Sequence, residues 1–95
     1  MYNPQLETFI QVVEAGSFNK AAEKMFISPP AVIKQINLLE RDIGIELFVR
    51  THRGLVLTEG GKSFYQDAKY IVQYCKDSVI RAKNAMNLEE DVDRK

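Results

Sequence analysis

A chain of 95 residues, 45% hydrophobic and 27% charged, makes one domain at most, with enough core to sustain a fold but little spare area for a substrate cleft. A single cysteine excludes an internal disulfide, the opening MYNPQLETF carries neither the basic nor the apolar part of a secretory leader, and no apolar run reaches membrane-span length, so a cytoplasmic chain without a membrane partner is expected. Basic and acidic residues balance, and within residues 1–57 Lys20, Lys24, Lys34, Arg41, Arg50 and Arg53 stand against Glu7, Glu14, Glu23, Glu40, Asp42 and Glu46; attraction for a polyanion must therefore come from the placement of cations.

In residues 4–14, Leu6, Phe9, Ile10 and Val13 recur at helical spacing behind Pro4, predicting a first amphipathic helix that Ala15 and Gly16 end. Ser17 can N-cap a second helix of about two turns, in which Phe18, Ala21, Ala22 and Met25 share a face and the alanines permit close helix contact. Phe26 and Ile27 form a tight connection to the stretch ISPPAVIKQINLLE, residues 27–40. The first turn of a helix holds N–H groups with no acceptor inside the helix, so prolines there forfeit nothing and arrive with helical φ. Ser28 ahead of them suits the N-cap. Because Pro30 disfavours helical ψ at Pro29, the first helical residue is either proline. Val32, Ile36, Leu39 and Ile43 form the core stripe of this third helix, which ends near Gly44.

Its opposite face presents Pro30, Ile33, Lys34, Asn37 and Arg41. That face is either solvated surface with one isoleucine or a contact surface. A short helix, a tight turn and an abruptly started second helix make a helix-turn-helix unit, which sets its second helix in the DNA major groove. ELFVRTHRGLVLT then reads as a hairpin, with strands 47–50 and 55–57 and a turn through Thr51, His52, Arg53 and Gly54. Arg50, His52 and Arg53 make its tip cationic and able to reach phosphates; the alternative is a surface hairpin whose arginines serve solubility.

From Thr58, a capping residue, a long helix is expected to about residue 88. Phe64, Ala68, Ile71, Cys75, Val79, Ala82 and Met86, with Val72 beside them, form its apolar stripe, and roughly thirty residues at 1.5 Å each give about 45 Å. Such a helix outreaches the body it is attached to, so the stripe is expected against the same stripe of a second chain; the alternative is a helix folded back on its own domain. Tyr65, Tyr70 and Tyr74 are expected as partly buried edges of a helix contact, and residues 89–95 as a disordered charged tail. His52 and Cys75 are too few for a structural zinc site, and neither a nucleophile with its base nor a phosphate-binding loop is recognisable, so no metal, cofactor or catalytic site is expected.

The stretch from Leu6 to Gly61 resembles the N-terminal winged helix-turn-helix domain of the LysR-type transcriptional regulators, most specifically at Gly16-Ser17-Phe18 with Ala21-Ala22, Leu39-Glu40 with Gly44, Leu47-Phe48 with Arg50, and Leu57-Thr58 with Gly61. The resemblance implies a mainly α fold, with three helices and a two-stranded wing in residues 1–57, then a linker helix, residues 58–88, that forms a homodimer. It implies a non-enzymatic protein that binds operator DNA and regulates transcription, with residues 29–43 in the major groove and the wing, residues 47–57, on the phosphate backbone. Lys20, Ser28, Pro29, Pro30, Ile33, Lys34, Asn37, Arg41, Arg50, Thr51, His52 and Arg53 would then face DNA. The inducer-binding domain of such regulators is absent from these residues. Many members carry glutamine at the position of Pro29 and serine at that of Ile33. Here neither side chain can hydrogen-bond, which removes adenine readout at residue 29 and leaves apolar contact with a thymine methyl open to Ile33 or Pro30. Balanced charge and Ile33 favour a rival reading, a helical protein-interaction module without DNA binding.

Overall fold

The computed structural model describes residues 4–87. Its elements follow the order α1 (Pro4–Ala15), α2 (Phe18–Met25), α3 (Pro29–Ile43), β1 (Phe48–Thr51), β2 (Gly54–Leu57) and α4 (Glu59–Ala85). This is the mainly α winged helix-turn-helix arrangement followed by a long helix. Leu88, the expected end of the linker helix, and the tail 89–95 lie outside the described residues.

Hydroxyl groups fix three helix starts. Ser17, Ser28 and Thr58 accept the backbone N–H groups of Lys20, Ala31 and Gly61 at 3.1, 3.2 and 2.9 Å, each cap contributing about 1 kcal/mol. Pro29 is the first helical residue of α3 and Pro30 the second, since the Ser28 carbonyl already accepts from Ala31 and Val32. Helix ends use left-handed residues. Gly44 ends α3 at φ +80, its N–H on the Glu40 carbonyl at 2.8 Å. Phe26 ends α2 at φ +59, its N–H on the Glu23 carbonyl while the Ile27 N–H reaches the Ala22 carbonyl. That bond pair is a Schellman closure, with phenylalanine where glycine ordinarily sits. The Phe26 side chain is 93% exposed.

The core lies where α1, α2 and α3 meet. Phe9, Val12, Ala21 and Val32 are fully buried, and Phe9 is its aromatic centre, with the rings of Phe48 and Phe64 each 5.5 Å away and that of Tyr65 at 6.3 Å. Burying one such ring stabilises the fold by roughly 1.5–3 kcal/mol. Buried Thr8 hydrogen-bonds the Gln35 side chain, which ties α1 to α3. Ile43, expected in the core stripe, is instead 37% exposed, because fully buried Leu47 lies in the core just beyond the reversal at Gly44.

Pairing in the wing runs Phe48 to Leu57, Val49 to Val56, Arg50 to Leu55 and Thr51 to Gly54. The loop is thus His52 and Arg53 alone, tighter than the expected four-residue turn. Thr51 causes this: its hydroxyl accepts the Arg53 N–H at 3.1 Å and donates to the Gly54 carbonyl at 2.9 Å. Leu47, expected in the first strand, precedes it. Phe48, Leu55 and Leu57 pack on the core, while Val49 and Val56 face out.

Thr58 anchors α4 to the wing, its hydroxyl donating to the Glu46 carbonyl at 2.7 Å and its N–H to the Leu47 carbonyl at 3.0 Å. A Cβ on Gly61 would lie 2.2 Å from that Leu47 oxygen, so the approach of α4 requires glycine there. The 27 residues of α4 extend for about 40 Å. Its first half lies on α1. Phe64 is packed against the core and Ala68 and Val72 are buried, so these three residues serve the intramolecular contact. The apolar face of α1 needs a cover along its length, and the start of α4 supplies it. Tyr65 belongs to the same contact, donating from its hydroxyl to the Glu14 carboxylate at 3.1 Å. Tyr70 and Tyr74, expected as partly buried, are exposed and stack on each other. Further along, Cys75 and Val79 are half-buried, and Ile71, Ala82 and Met86 are exposed.

Candidate nucleic-acid interface

The packing of α3 decides what its outer face presents. With Val32, Ile36 and Leu39 held inward, Pro30, Lys34, Asn37 and Arg41 are exposed and Ile33 is half-buried. Together with Leu38 they line an open cleft of about 520 Å³. No acidic side chain belongs to it. Of the two acidic residues on α3, Glu40 directs its carboxylate to the Leu47 and Phe48 N–H groups, and Asp42 is exposed outside the lining. Among the described residues, Lys34, Asn37 and Arg41 have no side-chain hydrogen bond or ion pair, so their donors remain open to a ligand.

A second cleft, of about 320 Å³, lies between α3, the start of α2 and the wing. Ser17, Phe18 and Asn19 line it on one side, Arg50, Thr51, Gly54 and Leu55 on another, and Ile33 on the third. Ile33 thus borders both clefts, and the wing opens on the same side of the molecule as the outer face of α3. Strand alternation turns Arg50 inward with Phe48, and its guanidinium sits 5.1 Å above the Phe18 ring. Stacked there, it is oriented while its donors stay free. His52 and Arg53 occupy the exposed loop tip, and Lys20 is exposed on the first turn of α2. Ser28 is exposed at the N-terminus of α3 with its hydroxyl oxygen on Ala31, and Pro29 is half-buried beside it.

The structure adds residues that the periodicity did not single out. Leu38 enters the first cleft because it follows Lys34 by one helical turn, a position that spacing alone assigns to the helix flank. Phe18 and Asn19 enter the second cleft; the N-cap at Ser17 was the available signal, since it fixes which residues begin α2. Among the described residues no three potential metal ligands converge.

Residues 4–62 match the family described as "Bacterial regulatory helix-turn-helix protein, lysR family". This chain belongs to the LysR family. Among curated relatives of this LysR-family chain, the HTH-type transcriptional regulator TfdT of Cupriavidus pinatubonensis is 47% identical over 81 residues, which cover 85% of this chain and 36% of that protein. ClcR of Pseudomonas putida, also an HTH-type transcriptional regulator, is 42% identical over 81 residues, covering 85% of this chain and 28% of that protein. The chain therefore spans about a third of the length of these relatives. Among solved structures, the complex of the CbnR DNA-binding domain with DNA superposes with a TM-score of 0.85 at 38% identity, covering 90% of this chain and 99% of that one. The BenM DNA-binding domain on benA site 1 DNA gives a TM-score of 0.86 at 35% identity, covering 94% of this chain and 100% of that one.

Proposed function

We propose that this LysR-family chain binds double-stranded operator DNA sequence-specifically as a homodimer and so regulates transcription, acting in the cytoplasm and catalysing no reaction. In this reading residues 1–57 engage DNA and residues 58–88 join two chains. The N-terminal part of α3 enters the major groove, where Pro30, Ile33, Lys34 and Asn37 face base edges while Ser28, Pro29 and Arg41 flank them. Arg50, Thr51, His52 and Arg53 of the wing, with Lys20 of α2, hold phosphates. The observation that carries the reading is the position of Ile33 between the two clefts, which puts the unpaired donors of α3 and the cations of the wing on one side of a chain without net charge. Relatives that are transcriptional regulators, and similar domains crystallised on DNA, support it against the protein-interaction alternative.

Selection of bound sequences from a random duplex pool tests the reading. Enrichment of a two-fold symmetric sequence is expected, with half-sites about 34 Å apart or a multiple of that, the spacing that a two-fold pair of recognition helices requires. Affinity should fall steeply with salt, by roughly one power of concentration for each phosphate contacted. Binding without enrichment and without salt dependence would overturn it.

A further inference from the structure

We propose that Phe18 is a positioning residue for DNA binding, one that holds the Arg50 guanidinium ready for a backbone phosphate; this rests on the DNA-binding reading above. An exposed arginine spreads over many rotamers, and gathering them on docking opposes binding. The two arginines of the wing differ in this respect. Arg53, at the loop tip, engages its backbone N–H with Thr51, while its side chain has no hydrogen bond or ion pair among the described residues. Arg50 is fixed twice. Its backbone is paired opposite Leu55, and its guanidinium carbon lies 5.1 Å from the centre of the Phe18 ring.

The ring is itself held from behind. Phe18 meets the Phe48 ring at 6.1 Å and 73°, and Phe48 meets the fully buried Phe9 at 5.5 Å and 63°. Edge-on contacts of this kind are the ones that ring quadrupoles favour. Helix α1, helix α2 and strand β1 each contribute one ring, so a row of aromatics runs from the centre of the core to the surface and ends on the cation. The Ser17 cap, which fixes where α2 begins, fixes Phe18 as its first residue.

A carboxylate could also have oriented Arg50, but it would have neutralised the charge and taken up the donors. The ring binds the guanidinium by its flat face and leaves the N–H groups, which radiate in the guanidinium plane, open to another ligand. No ion pair to Arg50 exists among the described residues, so its charge is undiminished. Arg50 and Phe18 together line the cleft of about 320 Å³ between α2, α3 and the wing. A phosphodiester group, anionic and able to accept two parallel N–H bonds, suits that fork. Because every nucleotide carries one, Phe18 contributes to affinity without contributing to sequence preference.

Fluorescence anisotropy on a duplex of mixed sequence, titrated at several salt concentrations, tests this. Phe18→Leu keeps apolar bulk and removes the aromatic face. With the helical circular-dichroism spectrum unchanged, it is expected to weaken binding by about two- to fivefold, while the salt slope stays as it was because Arg50 still meets its phosphate in the complex. Phe18→Tyr, which keeps the ring, should retain the affinity. Arg50→Ala should lower the salt slope by about one, and in that background Phe18→Leu should have no further effect. A Phe18→Leu loss of equal size with and without Arg50 would overturn the proposal, as would no loss at all. Nitrogen-15 relaxation of the arginine Nε–H groups in the unsubstituted chain is a second measurement that needs no variant to fold: Arg50 should be more ordered than Arg53, and equal order would overturn the proposal. A duplex that the unsubstituted chain does not bind would overturn the DNA-binding reading, whereas binding that Arg50→Ala weakens and Phe18→Leu does not would overturn this proposal alone.

Discussion

The side-chain carboxylate of Glu40, near the end of α3, accepts the backbone N–H of Leu47 at 2.7 Å and that of Phe48 at 3.3 Å. Leu47 is fully buried, so its N–H has no access to water, and the carboxylate serves as the hinge pin between α3 and the wing. Glu40→Ala should destabilise the domain by about 1–3 kcal/mol, the range for a buried donor left unsatisfied. Glu40→Gln keeps an acceptor without the charge and should lose roughly half as much. Urea denaturation of the two variants checks the ranking; equal losses would mean that a neutral acceptor recovers nothing, and no loss in Glu40→Gln would mean that the charge contributes nothing.

Gly60 and Gly61 adjoin in sequence but differ in surroundings. A Cβ at residue 61 would stand 2.2 Å from the Leu47 carbonyl oxygen, whereas one at residue 60 would meet the Ile45 Cδ1 at 3.0 Å and the Thr58 Oγ1 at 3.8 Å, both side-chain atoms. Ile45 is exposed and can move; a backbone carbonyl inside the wing anchor cannot. Gly61→Ala is therefore expected to lose about 2 kcal/mol or more, in the range of overpacking, and Gly60→Ala to change stability by less than about 1 kcal/mol in either direction. Thermal unfolding of the pair decides it.

Phe26 holds a left-handed backbone that costs a side-chain-bearing residue about 1–2 kcal/mol, and its ring is almost wholly exposed. Phe26→Asn, which tolerates that conformation, should stabilise the domain by about 1 kcal/mol. A drop in stability would instead reveal that the ring contributes through packing in solution.

Much of the fold was legible because the signals are local. The caps at Ser17, Ser28 and Thr58 and the apolar periods of α1 and α3 each depend on residues within one or two turns of one another. The differences arise where a distant partner decides. Leu47 leaves the predicted strand because Glu40 and Thr58 take its backbone groups, and Ile43 leaves the core because Leu47 fills it. At the candidate site, helical spacing gave the outward residues of α3, but the brace of Arg50 on Phe18 joins residues 32 positions apart and has no local signature. One long apolar stripe on α4 likewise could not disclose where its contact with α1 ends.

Tyr65 donates to Glu14 across the α1–α4 contact, and burial, with the adjacent carboxylate, raises its phenol above the ordinary value of 10.0. A group whose folded pKa is raised adds stability that is fully present below its unfolded pKa and is lost as pH climbs through the folded value. Stability should therefore decline above pH 10, and Tyr65→Phe should decline less. Ultraviolet phenolate absorbance should show a late-ionising component that is lost in Tyr65→Phe.

Ala68 and Val79 lie on one stripe of α4 but face different surroundings. Ala68 is fully buried against its own domain, whereas Val79 is half-buried in the second half of α4. Ala68→Asp puts an unpaired charge into the core and should cost more than about 4 kcal/mol, enough to unfold much of the protein. Val79→Asp meets no such interior. It should leave the helical circular-dichroism spectrum intact while shifting sedimentation from dimer to monomer, and with the second recognition helix gone, affinity for a symmetric operator should fall towards that of one half-site. A Val79→Asp chain that still sediments as a dimer would move the chain–chain contact elsewhere, the exposed Tyr70 and Tyr74 stack being the next surface to test.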